Sequence, residues 1–269
     1  MRKLLCFLFI LIVQPASANG EIQVFNTEYA NSLALFAMLS SNAYVNKTQR
    51  TRFPVEQLGW KKVYPDGSPV PDDKNSYTPK TWLGDIFSSL QFDIWEHQIS
   101  NDTIIAFKGT DEKWDWTAGN LAIGVSIQYK SAKKHVKKYR DLNPDRNIML
   151  TGHSLGGGLA LSVSVWEGIH AYVFNTSPRI FDGIKNHSEP AIRKTLFQDR
   201  EVLQALRKVY PKFLEKMSND DIIKANFDYG ESGGKHRADL LAEGLLRCSD
   251  SPDLVKIATQ ISTKVQCYF

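Results

Sequence analysis

The sequence predicts an α/β protein, with a mixed but mostly parallel sheet and helices on both faces. Three observations lead there. From residue 147 onward, short apolar runs alternate with helix-length segments, which is the pattern of parallel strands covered on both sides. Ahead of them, "LQFDIWEHQ" and "DTIIAFKGT", joined by "ISN", read as an antiparallel pair feeding a buried strand. Between the two halves of "NIMLTGHSLGGGLALSV", a single serine stands among glycines just where a strand gives way to a helix. Each glycine inside a helix costs about 1 kcal/mol relative to alanine, so their presence calls for a geometric reason.

The elements follow in chain order. "MRKLLCFLFILIVQPASANG" has a basic tip, an apolar run from Leu4 to Val13 and the small-x-small end Ala16-Ser17-Ala18. As a helix that run spans about 15 Å, half a bilayer's hydrocarbon thickness. It therefore reads as a secretory signal cut after Ala18, and the mature protein is expected to be secreted or periplasmic. Cleavage removes Arg2 and Lys3, two of the charges behind the formal net +4. The remaining balance gives no reason to expect a nucleic-acid partner. With 42% hydrophobic and 23% charged residues, positions 19–269 can bury one substantial core and are expected to form a single domain.

Residues 28–44 carry apolar side chains around most of the cylinder and read as a largely buried helix. Residues 53–80, rich in Pro, Gly and Asp, read as irregular surface chain. In "QYKSAKKHVKKYRDLNPD", Tyr129, Ala132, Val136 and Tyr139 fall on one helical stripe with the lysines opposite. That is a solvated outer face, and transient contact with an anionic lipid surface is the alternative reading. Pro144 closes that helix before the strand "RNIML". "HAYVFNTSP" and "RKTLFQ" read as further strands, and "REVLQALRKVYPKFLEKM" as one or two helices. Cys248 and Cys267, which remain after signal removal, have the option of pairing in an oxidising compartment and tying down the C-terminal tail.

Gly152-His153-Ser154-Leu155-Gly156 between strand and helix matches a nucleophile elbow. The turn is tight enough to force the serine into a strained conformation with its hydroxyl raised above the sheet edge. Side chains two positions before and after would collide with helix or strand, so glycine is needed at 152 and 156. Gly157, Gly158 and Ala160 then let the helix approach its strands. The Leu155 N–H, at the positive end of that helix, is a natural donor to a developing oxyanion.

"TGHSLGGGLA" together with "IIAFKGTDEKWDW" resembles the class 3 lipases, the family of the fungal triacylglycerol lipases and their bacterial relatives. The resemblance covers residues 100–180 closely and the remainder loosely. Phe107-Lys108-Gly109-Thr110 falls on the family's Phe-Arg-Gly-Thr/Ser motif, with lysine in place of arginine. It implies an α/β-hydrolase fold and hydrolysis of carboxylic esters, often of lipids, so a lipid or small ester is the expected substrate. It also puts Thr110 at the second oxyanion-hole position, and Asp111–Ala118, with Trp114 and Trp116, on the lid. Core packing is the other reading of those tryptophans.

A serine hydroxyl needs a base, and the base needs an acid to orient it. In this fold the order along the chain is serine, acid, histidine. Of the histidines after Ser154, His170 starts a strand, at the end away from the elbow. His187 lies in a polar loop and is the reserve. His236 follows a glycine-rich loop and opens an apolar helix pattern, which makes it the expected base. His153 is expected to pack rather than act as a second base. Asp199, directly after "RKTLFQ", occupies the place where the family carries its aspartate. The usual Val-Pro pair does not follow it, and Glu201 is the alternative acid. "GESGGKH" imitates a phosphate loop, but its glycine spacing is one short and no Ser/Thr follows Lys235. No His and carboxylate spacing suggests a metal, and no cofactor is implied. The expectation is a serine hydrolase of the lipase, esterase or phospholipase A type working through an acyl-enzyme. The alternatives are an acyltransferase with the same triad and a lipid- or surface-binding protein on an inactive scaffold.

Overall fold

A computed structural model describes residues 22–44, 50–71, 74, 76–80, 89–109, 121–178, 191–204, 221–229, 235–261 and 265–267. The expected signal segment, Thr110, the expected lid at 111–118, His187 and most of the stretch 200–217 that reads from sequence as helical lie outside them.

The described residues form an eight-stranded sheet. In chain order its strands are β1 (Ile22–Val24), β2 (Trp60–Val63), β3 (Phe92–His97), β4 (Asp102–Phe107), β5 (Asn147–His153), β6 (His170–Phe174), β7 (Arg193–Gln198) and β8 (Asp221–Ala225). The spatial order is β1-β8-β7-β6-β5-β4-β3-β2. Neighbours from β1 through β4 run parallel, while β3 is antiparallel to both β4 and β2. Five helices accompany them: α1 (Thr27–Asn42), α2 (Leu121–Leu142), α3 (Leu155–Glu167), α4 (Ala238–Cys248) and α5 (Pro252–Gln260). This is the mixed, mostly parallel sheet that the alternation predicts.

Two apolar clusters sandwich the sheet, as the two-residue period of its strands requires. Ile104 and Ala106 of β4 point to one side, together with Leu33, Ala37 and Met38 of α1 and Leu241 and Leu245 of α4. Ile105 and Phe107 point to the other, with Tyr129, Ala132, Val136 and Tyr139 of α2 and Leu159 and Val163 of α3. The stripe on α2 is thus buried, and Lys130, Lys134, Lys137 and Lys138 stand exposed opposite it. Helix α1 starts where Asn26 accepts the Tyr29 N–H at 3.0 Å, a side-chain cap for an otherwise orphaned donor. Buried residues run round most of its circumference because it lies between the sheet and α4.

Three strands lie outside the reading from sequence. β2 falls in the stretch read as irregular: a 3-10 turn at Val55–Leu58 ends at Gly59 (φ 82°), and the chain then pairs with β3. Its lysines suit an edge strand, and Lys62 meets the buried Asp93 carboxylate at 2.9 Å. β1 and β8 pair with each other over three residues, too short for a periodic signal. At the C-terminus Cys248 and Cys267 form a disulfide with Cα atoms 5.3 Å apart, and Gln266 N–H donates to Asp228 O at 3.0 Å.

Candidate active site

Ser154 sits between β5 and α3 with φ 59° and ψ −126°. Glycine enters that region freely, whereas a residue with a Cβ is strained there, at a cost of order 1–3 kcal/mol. The surroundings over-determine the conformation. The Ser154 N–H donates to Phe174 O at 3.1 Å, and its carbonyl accepts from Ser177 N–H at 3.0 Å and Gly158 N–H at 3.3 Å. The flanking glycines have the steric origin expected of them. A Cβ on Gly152 would lie 2.4 Å from the Gly156 carbonyl group, and one on Gly156 would lie 2.2 Å from Phe107 O on β4. Gly157 lets α3 approach Thr176, whose Oγ1 would stand 2.7 Å from a Cβ there.

The strained turn leaves the Ser154 hydroxyl free of any capping role and aims it at an imidazole. His236 Nε2 lies 2.9 Å from Ser154 Oγ, and His236 Nδ1 lies 2.7 Å from Glu201 Oε2. A carboxylate accepts, so Nδ1 carries the ring proton and Nε2 turns its lone pair to the serine. Glu201 is fully buried, and its Oε2 also accepts the Leu203 N–H at 2.9 Å. That second bond fixes the carboxylate's direction. The His153 ring packs beside His236, with centroids 4.7 Å apart.

Of the two carboxylates read from sequence as candidate acids, the alternative and not the first choice meets the imidazole. Asp199 does not join this chain of hydrogen bonds; Glu201, the alternative, does. The cause is the turn after β7, where Arg200 adopts a left-handed φ of 58°. The chain reverses there, so Glu201 faces inward. Asp199 stays outside, 3.0 Å from Lys224 Nζ on the neighbouring strand and 3.6 Å from Arg200 Nε. The hydrogen bond from Lys224 holds the Asp199 carboxyl below its ordinary value. His170, as expected, lies at the far end of the sheet, where its Nδ1 accepts the Ile192 N–H at 2.8 Å.

Leu155 opens α3, so its N–H has no acceptor within the helix and stands next to the serine. Thr110, the other expected oxyanion donor, is outside the described residues; Gly109 before it is within them. Gly109 N–H donates to the Tyr44 hydroxyl at 2.8 Å, and that hydroxyl donates to His153 O at 3.1 Å. Tyr44 thereby fastens the end of β4 to the elbow. A Cβ on Gly109 would stand 2.3 Å from this oxygen, which accounts for glycine there. Tyr44 escaped the reading from sequence because nothing in a buried helix end marks one tyrosine as spanning two strands.

A mostly parallel sheet with a strained serine at the carboxyl end of a parallel strand, facing an imidazole and a buried carboxylate, defines an α/β-hydrolase. Residues 35–195, more than half of the chain, match the model of the Tle-like phospholipase domain. The chain belongs to that phospholipase-like family. It is 34% identical over 99 residues to an extracellular phospholipase A1 of Serratia liquefaciens, a match covering 35% of this chain and 30% of that protein's length. Among solved structures, the native lipase–propeptide complex of Rhizomucor miehei is similar at 14% identity, covering 74% of this chain and 68% of that one with a TM-score of 0.43. The Lip2 lipase of Yarrowia lipolytica is similar at 12% identity, covering 71% and 77% with a TM-score of 0.41.

Proposed function

We propose that this protein is an exported serine hydrolase that cleaves carboxylic esters of lipids, phospholipids foremost, through Ser154, His236 and Glu201. The observation that carries the reading is the unbroken path from Ser154 Oγ through both imidazole nitrogens to a buried carboxylate, at 2.9 Å and 2.7 Å. The family, and a relative named as a phospholipase A1, support phospholipid as the substrate class. The Cys248–Cys267 disulfide and that relative's extracellular designation support export to an oxidising compartment.

In the proposed reaction, His236 Nε2 takes the Ser154 proton as Oγ attacks the ester carbonyl. Glu201 stabilises the imidazolium without accepting its proton. Charge on the carbonyl oxygen meets the Leu155 N–H, with Thr110 as second donor from its place in the motif. Collapse of the tetrahedral adduct breaks the ester C–O bond, and His236 returns the proton to the departing alcohol. Water, deprotonated by the same nitrogen, then releases the acid from the acyl-serine. The test is product analysis on phosphatidylcholine vesicles. Free fatty acid and lysophospholipid from wild type, and neither from Ser154→Ala, is the expected result. Intact phospholipid with folded wild type would contradict the substrate. Transfer of the acyl group to an added alcohol in preference to water would make the protein an acyltransferase instead.

A further inference from the structure

The imidazole must hold two short hydrogen bonds at once, and displacement by about 1 Å can cost a hundredfold in rate. The residues that fix the backbone beside it therefore matter. Asn175, wholly buried, follows β6 with a left-handed φ of 41°, which asparagine tolerates better than most residues. The twist takes the chain off the β6–β7 ladder just after the Phe174–Leu196 pairing. Its own N–H still donates to Leu196 O at 2.9 Å. The next donor on β7, the Gln198 N–H, finds the Asn175 side chain instead and donates to Oδ1 at 2.8 Å. With Oδ1 so engaged, Nδ2 donates to Lys235 O at 3.3 Å, and that carbonyl belongs to the peptide bond joining Lys235 to His236.

Gln198 extends the frame to the segment that follows β8 on the way to His236. Its Oε1 accepts the Phe227 N–H at 3.1 Å and the Tyr229 hydroxyl at 3.2 Å, and its Nε2 donates to Phe227 O at 3.2 Å. One buried amide therefore links the ends of β6 and β7 to the backbone of the base. The position demands three things together: tolerance of positive φ, an acceptor and a donor. Aspartate lacks the donor, glycine lacks both polar groups, and the longer glutamine does not share asparagine's tolerance.

We propose that Asn175 is a positioning residue for His236, holding the Lys235–His236 peptide so that the ring reaches Ser154 and Glu201 together. The proposal rests on the reading of those three residues given above. It is tested on a soluble short-chain p-nitrophenyl ester with wild type, Asn175→Asp and Asn175→Gly, measuring kcat, KM, the pH profile of kcat/KM and thermal stability. The aspartate variant keeps the acceptor for Gln198 but replaces the donor to Lys235 by a carboxylate oxygen facing that carbonyl, so it too breaks the tie should the glycine variant fail to fold. Expected is a ten- to hundredfold fall in kcat for both, with KM within twofold. In Asn175→Gly the acid limb of the profile moves to lower pH, because an imidazole held less firmly against a carboxylate loses stabilisation of its protonated form. A merely structural role would lower the melting temperature and leave that limb in place. Folded variants with kcat within twofold of wild type and an unmoved limb overturn the proposal. A wild type inert to both the ester and a fluorophosphonate overturns the catalytic reading beneath it as well.

Discussion

At the scale of single residues, the site is decided by backbone conformation at Ser154, Asn175 and Arg200, all at positive φ. The first was legible. Glycines two positions either side of a serine, between strand and helix, encode the clash that a Cβ would cause. The choice between Asp199 and Glu201 was not legible. It depends on Arg200 turning left-handed, and arginine carries no preference for that region, so nothing local says which carboxylate swings inward. Strain at the serine gives a prediction of its own. Ser154→Ala keeps a Cβ at φ 59°, whereas Ser154→Gly releases it. The glycine variant should be more stable than the alanine variant by about 1 kcal/mol in thermal or urea unfolding, with both inactive. An alanine variant at least as stable as the glycine variant would mean that the elbow stores no strain.

At the scale of elements, β3, β4, β5, β7 and α3 carry periodic patterns long enough to read. β1, β2 and β8 have three to five residues each and owe their state to the partner they join, so pairing rather than propensity makes them strands. The C-terminal tail shows the same dependence on tertiary context. Cys248 and Cys267 are 19 positions apart, and the bridge pins a tail that also bonds Asp228, upstream of the base. Closing a loop of that size stabilises by about 3 kcal/mol through the unfolded chain. Cys248→Ser/Cys267→Ser should therefore lose about that much in denaturant unfolding, and wild type in reductant should match it. A difference below about 0.5 kcal/mol would mean that the packed tail does not need the bridge.

At the scale of the whole molecule, two apolar clusters clamp the sheet, and the strand ends along β4 to β8 supply the functional groups. Ser154 follows β5, Asn175 follows β6, Glu201 follows the turn beyond β7, and His236 lies beyond β8. The class of fold was readable because alternation of strand and helix is a long-range pattern. The convergence of Ser154, Glu201 and His236 was readable only in part, because it is made by turns whose conformations depend on packing. The exposed lysines of α2 lie outside this constellation.

In the proposed mechanism Glu201, and not Asp199, orients the base that activates Ser154. That role is tested most directly by the second-order rate of fluorophosphonate capture, with the adduct mapped by mass spectrometry, in wild type, Glu201→Gln and Asp199→Asn. Expected are an adduct on Ser154, a rate lowered by about 10²–10⁴ in Glu201→Gln, and a rate within about twofold of wild type in Asp199→Asn, where among the described residues the carboxylate of Asp199 pairs with Lys224 and Arg200. A Glu201→Gln protein that reacts as fast as wild type, or an Asp199→Asn protein slowed to the same degree as Glu201→Gln, would contradict that role.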